Sequence, residues 1–349
     1  MCIRDSISTQ VVRQWDWYPR VEPYVGYGTG DYSRLICRTV YAPRHAQSGE
    51  LIRGIRGMLA IPAPRTHVQA SIDDMPLNTV QIGVSEVYDK VDRTRDLGSE
   101  YAISDSAGYL DLVAEHRLVP GIHRVSYSVA NRKPVSANLY TIPASAKVGI
   151  ISDVDDTIMI TQAPVPWKAA YNLLFLDPKK KASVPGMSVL FTRIADLFPG
   201  APFFYLSTSP WNVESSIRNF ITDHGFPEGP LLLRDLDPRP KTFVPTGPQH
   251  KLEFAEQLMA DFPDMKFILV GDDGQKDPTT YATIARRYPG RVLAIVIREL
   301  SPRESTGLAS VTGLTSTQPT PVTDVPVFTG TTGSNILKTM LPYLKTVLR

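Results

Sequence analysis

Cysteine is scarce in this sequence, and charges of opposite sign nearly cancel. The 349 residues contain only Cys2 and Cys37, which excludes a disulfide framework and offers none of the spacings of cysteine-based zinc sites. We therefore expect a reducing compartment. The 37 lysines and arginines against 35 aspartates and glutamates give a net charge of +2. Because this charge provides no general field for polyanions, we expect no nucleic acid partner.

Long apolar runs are also missing. No stretch approaches the roughly 18 consecutive apolar residues of a membrane-spanning helix, and the opening residues, MCIRDSISTQ, lack the apolar core of a secretion signal. We therefore expect a cytoplasmic protein, with peripheral contact at a membrane surface left open. The length and the 42% hydrophobic content are typical of a globular chain with two domains.

The first part of the chain contains a series of short strand patterns. Between residues 35 and 142, runs such as LICRTVYA, THVQASI and GIHRVSYSVA alternate in polarity or are rich in β-branched residues. Turn residues separate these runs, for example Asp73-Asp74 and Asn131-Arg132. The spacing predicts an all-β, sandwich-like domain over residues 1–145.

The pattern changes after Pro143. Short apolar runs now alternate with longer helical stretches, which is typical of an α/β fold with a doubly wound parallel sheet. We predict this domain over residues 146–300. The predicted strands are residues 148–152, 203–206, 231–233, 267–270 and 293–297, and the predicted helices are residues 186–198, 210–224, 249–262 and 278–288.

Three further segments complete the predicted organisation. Residues 158–185 separate the first strand from its helix and predict a small cap insertion. An apolar run at 173–176 beside lysines at 179–181 favours a packed helical cap with a solvated basic turn, and contact with a lipid surface is the alternative. Serine, threonine and proline predominate over residues 301–333, which predicts a linker. Residues 334–349 predict an amphipathic helix, kinked at Pro342.

The strongest functional signal is the segment SDVDDTIMIT at residues 152–161. Asp153, Asp155 and Thr157 leave the end of a predicted buried strand with the spacing D-x-D-x-T. Ligands bind at the carboxyl ends of strands in such sheets. A single motif of this kind is also found in ordinary polar turns, so its weight depends on the motifs that follow it.

Three later motifs fall at the same edge of the predicted sheet. The second strand delivers Ser207 and leads into the helix predicted at residues 210–224, whose N-terminus, with Ser209 as the N-cap, would bind an anion. Lys251 lies at the start of another predicted helix. The fourth strand ends in GDDGQKD, which supplies Asp272 and Asp277.

Carboxylates that converge on one crevice raise one another's pKa unless cations are present. Mg²⁺ prefers carboxylate, water and phosphate oxygens. The set therefore predicts a magnesium site with Asp153, Asp155, Asp272 and Asp277 as ligands. No cluster of histidine or cysteine lies near these residues in the sequence, which disfavours zinc.

Two acids separated by one residue suit the hydrolysis of a phosphate monoester. We expect Asp153 to attack phosphorus as the nucleophile. Asp155 would protonate the leaving oxygen and then activate the water that hydrolyses the aspartyl-phosphate. Ser207 and Lys251 would hold the transferring oxygens, and Mg²⁺ would offset their charge.

The order and spacing of the four motifs resemble those of the haloacid dehalogenase superfamily. Within it, the strings ISDVDDTI, YLSTSPWN, HGFPEGPLLLRD and GDDGQKDP resemble the catalytic domain of the actin-patch-associated phosphatidate phosphatase family, over roughly residues 148–300. This resemblance implies a Mg²⁺-dependent enzyme and a phospholipid substrate, phosphatidate. Asp155 speaks against dehalogenase chemistry. Asp273 departs from the small polar residue expected at its position and would add negative charge beside the metal.

Two other functions remain open from the sequence. One is a phosphatase for a soluble or protein-linked phosphomonoester, which differs in having a narrow polar pocket rather than a broad apolar approach. The other is a binding protein that uses the β domain and carries a silent phosphatase fold. Loss of Asp153, Asp155 or Lys251 would indicate the silent form, and all three are present.

Overall fold

The computed structural model describes residues 17–43, 61–77, 79–82, 102–105, 108–130, 132–160, 181–234, 247–274, 276–300 and 323–348. The chain divides into two compact units, Met1–Ala144 and Ser145–Arg349. Among the described residues, the first unit contains strands alone and the second alternates strands with helices. The predicted fold class, an all-β part followed by an α/β part, is therefore confirmed.

The first unit is a mixed, mostly antiparallel sheet. Its described strands are β1 Trp17–Pro23, β2 Gly26–Gly28, β3 Tyr32–Pro43, β4 Ile61–Pro62, β5 His67–Ile72, β6 Met75–Pro76, β7 Thr79–Ile82, β8 Ala102–Ile103, β9 Tyr109–Glu115, β10 Gly121–Ser128 and β11 Val135–Thr141. They pair in the order β6-β5-β10-β11-β2-β3-β9-β7, while β1 and β4 pair with β3 and β8 pairs with β5. All the described strands of this unit connect into one sheet. This pairing does not test whether the sheet folds over on itself, so the sandwich-like arrangement stays a prediction.

Alternation along the strands builds the core of the first unit. On β10, Val125 and Tyr127 are buried, whereas Ile122 and Arg124 face solvent. Inward side chains of β3, β5, β9 and β11 join them in one apolar cluster. Each large apolar side chain that is fully buried contributes about 1.5–3 kcal/mol. This burial offsets the conformational entropy lost on folding.

A two-residue turn connects β5 to β6. Asp73 and Asp74 have φ angles of 48° and 65°, the left-handed pair that a tight hairpin turn requires and that aspartate tolerates. The Asp73 carboxylate accepts hydrogen bonds from the Arg124 backbone N–H at 3.0 Å and from His123 Nδ1 at 2.6 Å. The turn is therefore fixed to β10 by its first side chain.

The second unit alternates strands and helices. Its described strands are β12 Val148–Asp153, β13 Phe203–Pro210, β14 Leu231–Arg234, β15 Lys266–Asp272, β16 Val292–Arg298 and β17 Val327–Gly330. Its described helices are α1 Met187–Leu197, α2 Glu214–Asp223, α3 Gly247–Asp261, α4 Asp277–Arg287 and α5 Gly333–Val347, with a short 3₁₀ turn at Trp211–Val213.

The six strands of this unit are parallel and lie in the order β14-β13-β12-β15-β16-β17. Every residue of β12 and β16 is buried, as expected for parallel strands covered on both faces. The chain winds outward from β12 to β14, then crosses to the other side of β12 and continues with β15. The carboxyl ends of β12 and β15 therefore flank the switch point at which ligands bind in such sheets.

The helix predicted at residues 210–224 starts later than expected. Strand β13 continues to Pro210, and α2 begins at Glu214 with Val213 as its N-cap. Neighbouring β12 ends at Asp153, opposite Leu206. Pro210 therefore lies beyond β12, where its missing N–H breaks no ladder bond to that strand. The predicted start at Pro210, with Ser209 as the N-cap, was therefore wrong.

The linker predicted at residues 301–333 is wrong in its last part. Strand β17 lies there and pairs in parallel with β16. The four residues of β17, in a segment rich in threonine and glycine, are too few to show the alternation of polar and apolar residues that identifies a strand. Helix α5 then begins at Gly333, where Thr332 caps it by accepting from the Asn335 N–H at 3.2 Å, and it includes Pro342. Residues 161–180 of the predicted cap lie outside the described residues.

Candidate active site

The loop after β12 is a tight reversal that brings its polar side chains together. Asp156 has a φ of 54°, and its N–H donates to the Met159 carbonyl at 2.8 Å. Thr157 Oγ1 donates to Asp153 Oδ2 at 3.2 Å. The loop therefore fixes the orientation of the Asp153 carboxylate at the end of β12.

Lys251 connects two of the predicted acids. Its Nζ lies 2.8 Å from Asp153 Oδ1 and 2.5 Å from Asp277 Oδ1, and all three side chains are about 2% exposed. Burial alone would lower the pKa of Lys251, but the carboxylates of Asp153 and Asp277 outweigh it and raise that pKa. Lys251 is therefore charged, and its charge balances only part of the acidic cluster.

Asp153, Asp272 and Asp277 form a buried carboxylate triad. One oxygen from each lies within 4.8 Å of the others. Burial is the main cause that raises the pKa of Asp153 to about 8 and the pKa of Asp272 well above its ordinary value. Gly271 permits the close packing, because a Cβ at this position would collide with the Asp277 carboxylate.

The triad fits a hard metal ion. Asp272 Oδ1 accepts from the Gly274 N–H at 2.8 Å. Asp272 Oδ2 is buried and accepts no hydrogen bond from any residue that the structure describes. Buried polar atoms are costly without a partner, and three carboxylates match the oxygen preference of such ions. These residues could therefore hold a metal ion.

Asp155, which was predicted as a fourth ligand, has a different set of contacts. Its carboxylate lies outside the triad, and its Oδ2 accepts from Ser207 Oγ at 2.8 Å and from Ser209 Oγ at 3.5 Å. Ser207 Oγ in turn accepts the Ser209 N–H at 3.0 Å. Burial raises the pKa of Asp155. The centre therefore has one side formed by Lys251 and the triad and a separate side formed by Asp155 and the two serines.

Asp273 does not join the cluster beside it. Its Oδ1 accepts the Leu300 N–H at 2.8 Å, and its side chain is absent from the triad. Asp273 thus secures the segment after β16. The extra acid in the GDDG motif has a local structural contact that its position in the sequence did not indicate.

Two buried charged residues near the centre were not among the predicted site residues. Arg298, at the end of β16, is buried and donates to the Asp156 carbonyl at 2.8 Å. Lys181 is also buried, and its Nζ donates to Ser216 Oγ at 3.4 Å. The prediction of a solvated basic turn was therefore wrong for Lys181. The available signal for Arg298 was its place at the carboxyl end of an apolar strand.

This fold and this centre define a class: an α/β enzyme domain whose carboxylates and lysine meet at the switch point of a parallel sheet. Residues 148–299 match the family described as phosphatidate phosphatase APP1, catalytic domain. This part of the second unit is therefore similar to the catalytic domain of that family, in the region where the motifs had indicated it.

Two fungal proteins are similar over part of the chain. Phosphatidate phosphatase APP1 of Saccharomyces cerevisiae is 29% identical over 211 residues, which cover 58% of this chain and 35% of that protein. The uncharacterized protein C29B5.04c of Schizosaccharomyces pombe is 26% identical over 176 residues, which cover 50% and 29%. The chain thus spans about a third of the length of these curated relatives.

Comparison with solved structures adds nothing to the assignment. The adhesin InvE of Yersinia pseudotuberculosis has a TM-score of 0.21 and 10% identity, over 37% of this chain and 33% of that one. A likeness at this level carries no argument about fold or function. Separately, no helix among the described residues is long and apolar enough to cross a membrane.

Proposed function

We propose that this chain hydrolyses phosphatidate to diacylglycerol and inorganic phosphate, through an aspartyl-phosphate on Asp153 and with Mg²⁺ as the cofactor. The observation that carries the proposal is the division of the centre into two sides. Asp153 lies beside Lys251, Asp272 and Asp277, whereas Asp155 is bound by Ser207 and lies outside this group. A nucleophile and a proton donor need such different surroundings.

Asp153 is the proposed nucleophile. Lys251 binds its Oδ1 and Thr157 binds its Oδ2, so the carboxylate is fixed in orientation. One oxygen attacks phosphorus, and the bond from phosphorus to the glycerol oxygen breaks. Pre-orientation of this kind lowers the entropic part of the barrier.

Asp155 is the proposed general acid and base. Because burial raises its pKa, its carboxyl can hold the proton that the leaving glycerol oxygen takes up. Once ionised, Asp155 removes a proton from water, which attacks the phosphorus of the aspartyl-phosphate. Inorganic phosphate leaves, Asp153 is regenerated and Asp155 is protonated again.

Asp153, Asp272 and Asp277 would hold the magnesium ion, since they supply the hard oxygen ligands that this ion prefers. A bound Mg²⁺ supplies positive charge that offsets the charge of the phosphoryl oxygens. Ser207 and Lys251 act on the same oxygens as hydrogen-bond donors in this proposal.

The substrate assignment is supported by the family match and by the name of the yeast relative. A phospholipid substrate implies peripheral contact with a lipid surface as the partner. The alternatives are a soluble or protein-linked phosphomonoester and a silent fold that serves binding. The silent fold is disfavoured, because Asp153, Asp155 and Lys251 are all present, with Asp153 paired to Lys251 and Asp155 bound by Ser207.

Phosphate release with Mg²⁺ tests the proposal. The native chain, Asp153→Asn and the matched control Asp273→Asn are compared on phosphatidate in mixed micelles and on a panel of soluble phosphomonoesters. We expect turnover with selectivity for phosphatidate, loss of turnover in Asp153→Asn and turnover close to native in Asp273→Asn. Activity on soluble esters alone would overturn the lipid substrate, and retained turnover in Asp153→Asn would overturn the covalent mechanism.

A further inference from the structure

Arg298 reaches the centre from a strand that does not border the nucleophile. It is the last residue of β16, which is separated from β12 by β15. Its side chain is nonetheless buried, and Nη1 donates to the Asp156 carbonyl at 2.8 Å. Its own carbonyl accepts the Asp273 N–H at 3.0 Å. One residue thus contacts the loops that follow both β12 and β15.

The peptide that Arg298 holds lies at a critical place in the first loop. Asp156 adopts a φ of 54°, a left-handed conformation that costs energy for a residue with a side chain. Its neighbour Asp155 is bound by Ser207, and its neighbour Thr157 is bound to Asp153. The orientation of the carbonyl between these neighbours therefore affects how both of them are aimed.

Arginine suits this task for physical reasons. Its guanidinium stays charged when it is buried, and its planar donors fix direction as well as distance. A hydrogen bond from a charged donor is stronger than a neutral one.

We propose that Arg298 is a positioning residue that holds the strained Asp156 peptide and thereby aims Asp155 at the leaving-group oxygen. The inference rests on the proposed function of the centre, and it adds a residue to which no catalytic part had been given. Arg298 acts through the loop and does not touch the reacting atoms.

If Arg298 acts by positioning Asp155, its loss should change the rates on different phosphate esters by different factors. An alkyl phosphate releases a basic alkoxide that needs a proton, whereas p-nitrophenyl phosphate releases a weakly basic phenolate that needs little help. Misplacing Asp155 should therefore slow alkyl esters far more than the nitrophenyl ester. A merely structural defect would slow both by the same factor.

The test compares kcat/KM for phosphatidate in mixed micelles, or for glycerol phosphate if the lipid is not hydrolysed, with kcat/KM for p-nitrophenyl phosphate. The ratio of the two values does not depend on the fraction of folded enzyme. In Arg298→Gln we expect the ratio to fall about 100-fold, the scale of loss for a misaimed catalytic group. Arg298→Lys keeps the charge and should recover part of the loss.

Arg291, which immediately precedes β16 at its opposite end, provides a matched control. Its guanidinium donates to the carbonyls of Met259, Phe262 and Met265 at 2.7–3.2 Å, away from the centre. Arg291→Gln should lower the unfolding temperature and leave the ratio unchanged. An unchanged ratio in Arg298→Gln would overturn the inference while the proposed function stands. A native chain without activity on any ester would overturn the proposed function itself.

Discussion

At the scale of single residues, the two acids of the first motif differ in their partners rather than in their chemistry. Asp153 is paired with an ammonium, and Asp155 with a hydroxyl. Burial raises the pKa of both carboxyls, and the Lys251 ammonium opposes this effect at Asp153 as the Ser207 hydroxyl does at Asp155. The same side chain can therefore serve as nucleophile at one position and as proton donor two residues later.

This division predicts a trapped intermediate in Asp155→Asn. With p-nitrophenyl phosphate the first step needs no proton donor, so the variant should release about one equivalent of nitrophenol per chain rapidly. The second step lacks its base, so steady-state release should then be slow, by roughly 10²–10⁴-fold. Stopped-flow absorbance measures both phases. Asp153→Asn is the control and should show no burst, and steady turnover at the native rate in Asp155→Asn would contradict the assignment.

A second prediction at the residue scale concerns the turn between β5 and β6. Burial lowers the pKa of His123, but its hydrogen bonds to Asp73 and to the Val119 carbonyl outweigh this, and the pKa lies above 6.5. A hydrogen bond from the Arg124 backbone and the contact with His123 hold the pKa of Asp73 below 3.8. The pair therefore stabilises the fold from about pH 4 to about pH 6.5, and its contribution is lost outside that window in both directions.

Titration of the His123 ring by NMR checks this prediction. Asp73→Asn removes the charged acceptor, so the pKa of His123 should fall. Asp74→Asn changes the neighbouring exposed acid of the same turn and should leave the His123 pKa close to that of the native chain. If Asp73→Asn left the pKa unchanged, the contact would not be the cause of the shift.

At the scale of elements, a strand or helix could be predicted where its hydrophobic pattern is strong and polar residues mark its end, and it was missed where these features are weak. The apolar strands that carry Asp153 and Asp272 have strong patterns and clear polar ends, and their side chains meet as predicted. Strand β17 and the late start of α2 could not be predicted in this way. The first depends on pairing with β16 and the second on where β12 ends, and both are tertiary facts.

The separation of Asp155 from the triad could not be predicted from spacing either. An alternating strand would send Asp153 and Asp155 to the same side, so the sequence favoured both as ligands. The strand ends at Asp153, and the chain then reverses through the left-handed Asp156. Because Asp155 lies beyond the end of the strand, the alternation does not govern its side chain, which contacts Ser207, whereas Asp153 contacts Lys251.

At the scale of the whole molecule, the site is made by the order of the strands. Residues 153 and 272 are far apart in the sequence, and they become neighbours because β15 pairs with β12 across the switch point. Arg298 is added by the next strand outward. Because the chemistry is distributed over β12, β13, β15 and β16, ligand binding at the triad should stabilise the second unit as a whole.

Calorimetry with Mg²⁺ tests this coupling. A ligand at about 100 times its Kd adds about 2.7 kcal/mol to the native state, which in a unit of roughly 200 residues raises the unfolding temperature by about 5–10 °C. Because burial raises the pKa of Asp153 to about 8, binding must displace a proton near neutral pH. The shift should therefore grow between about pH 6 and about pH 8.5. Asp272→Asn should abolish it, whereas the neighbouring Asp273→Asn should retain it. An equal shift in both variants would place the ion outside the triad.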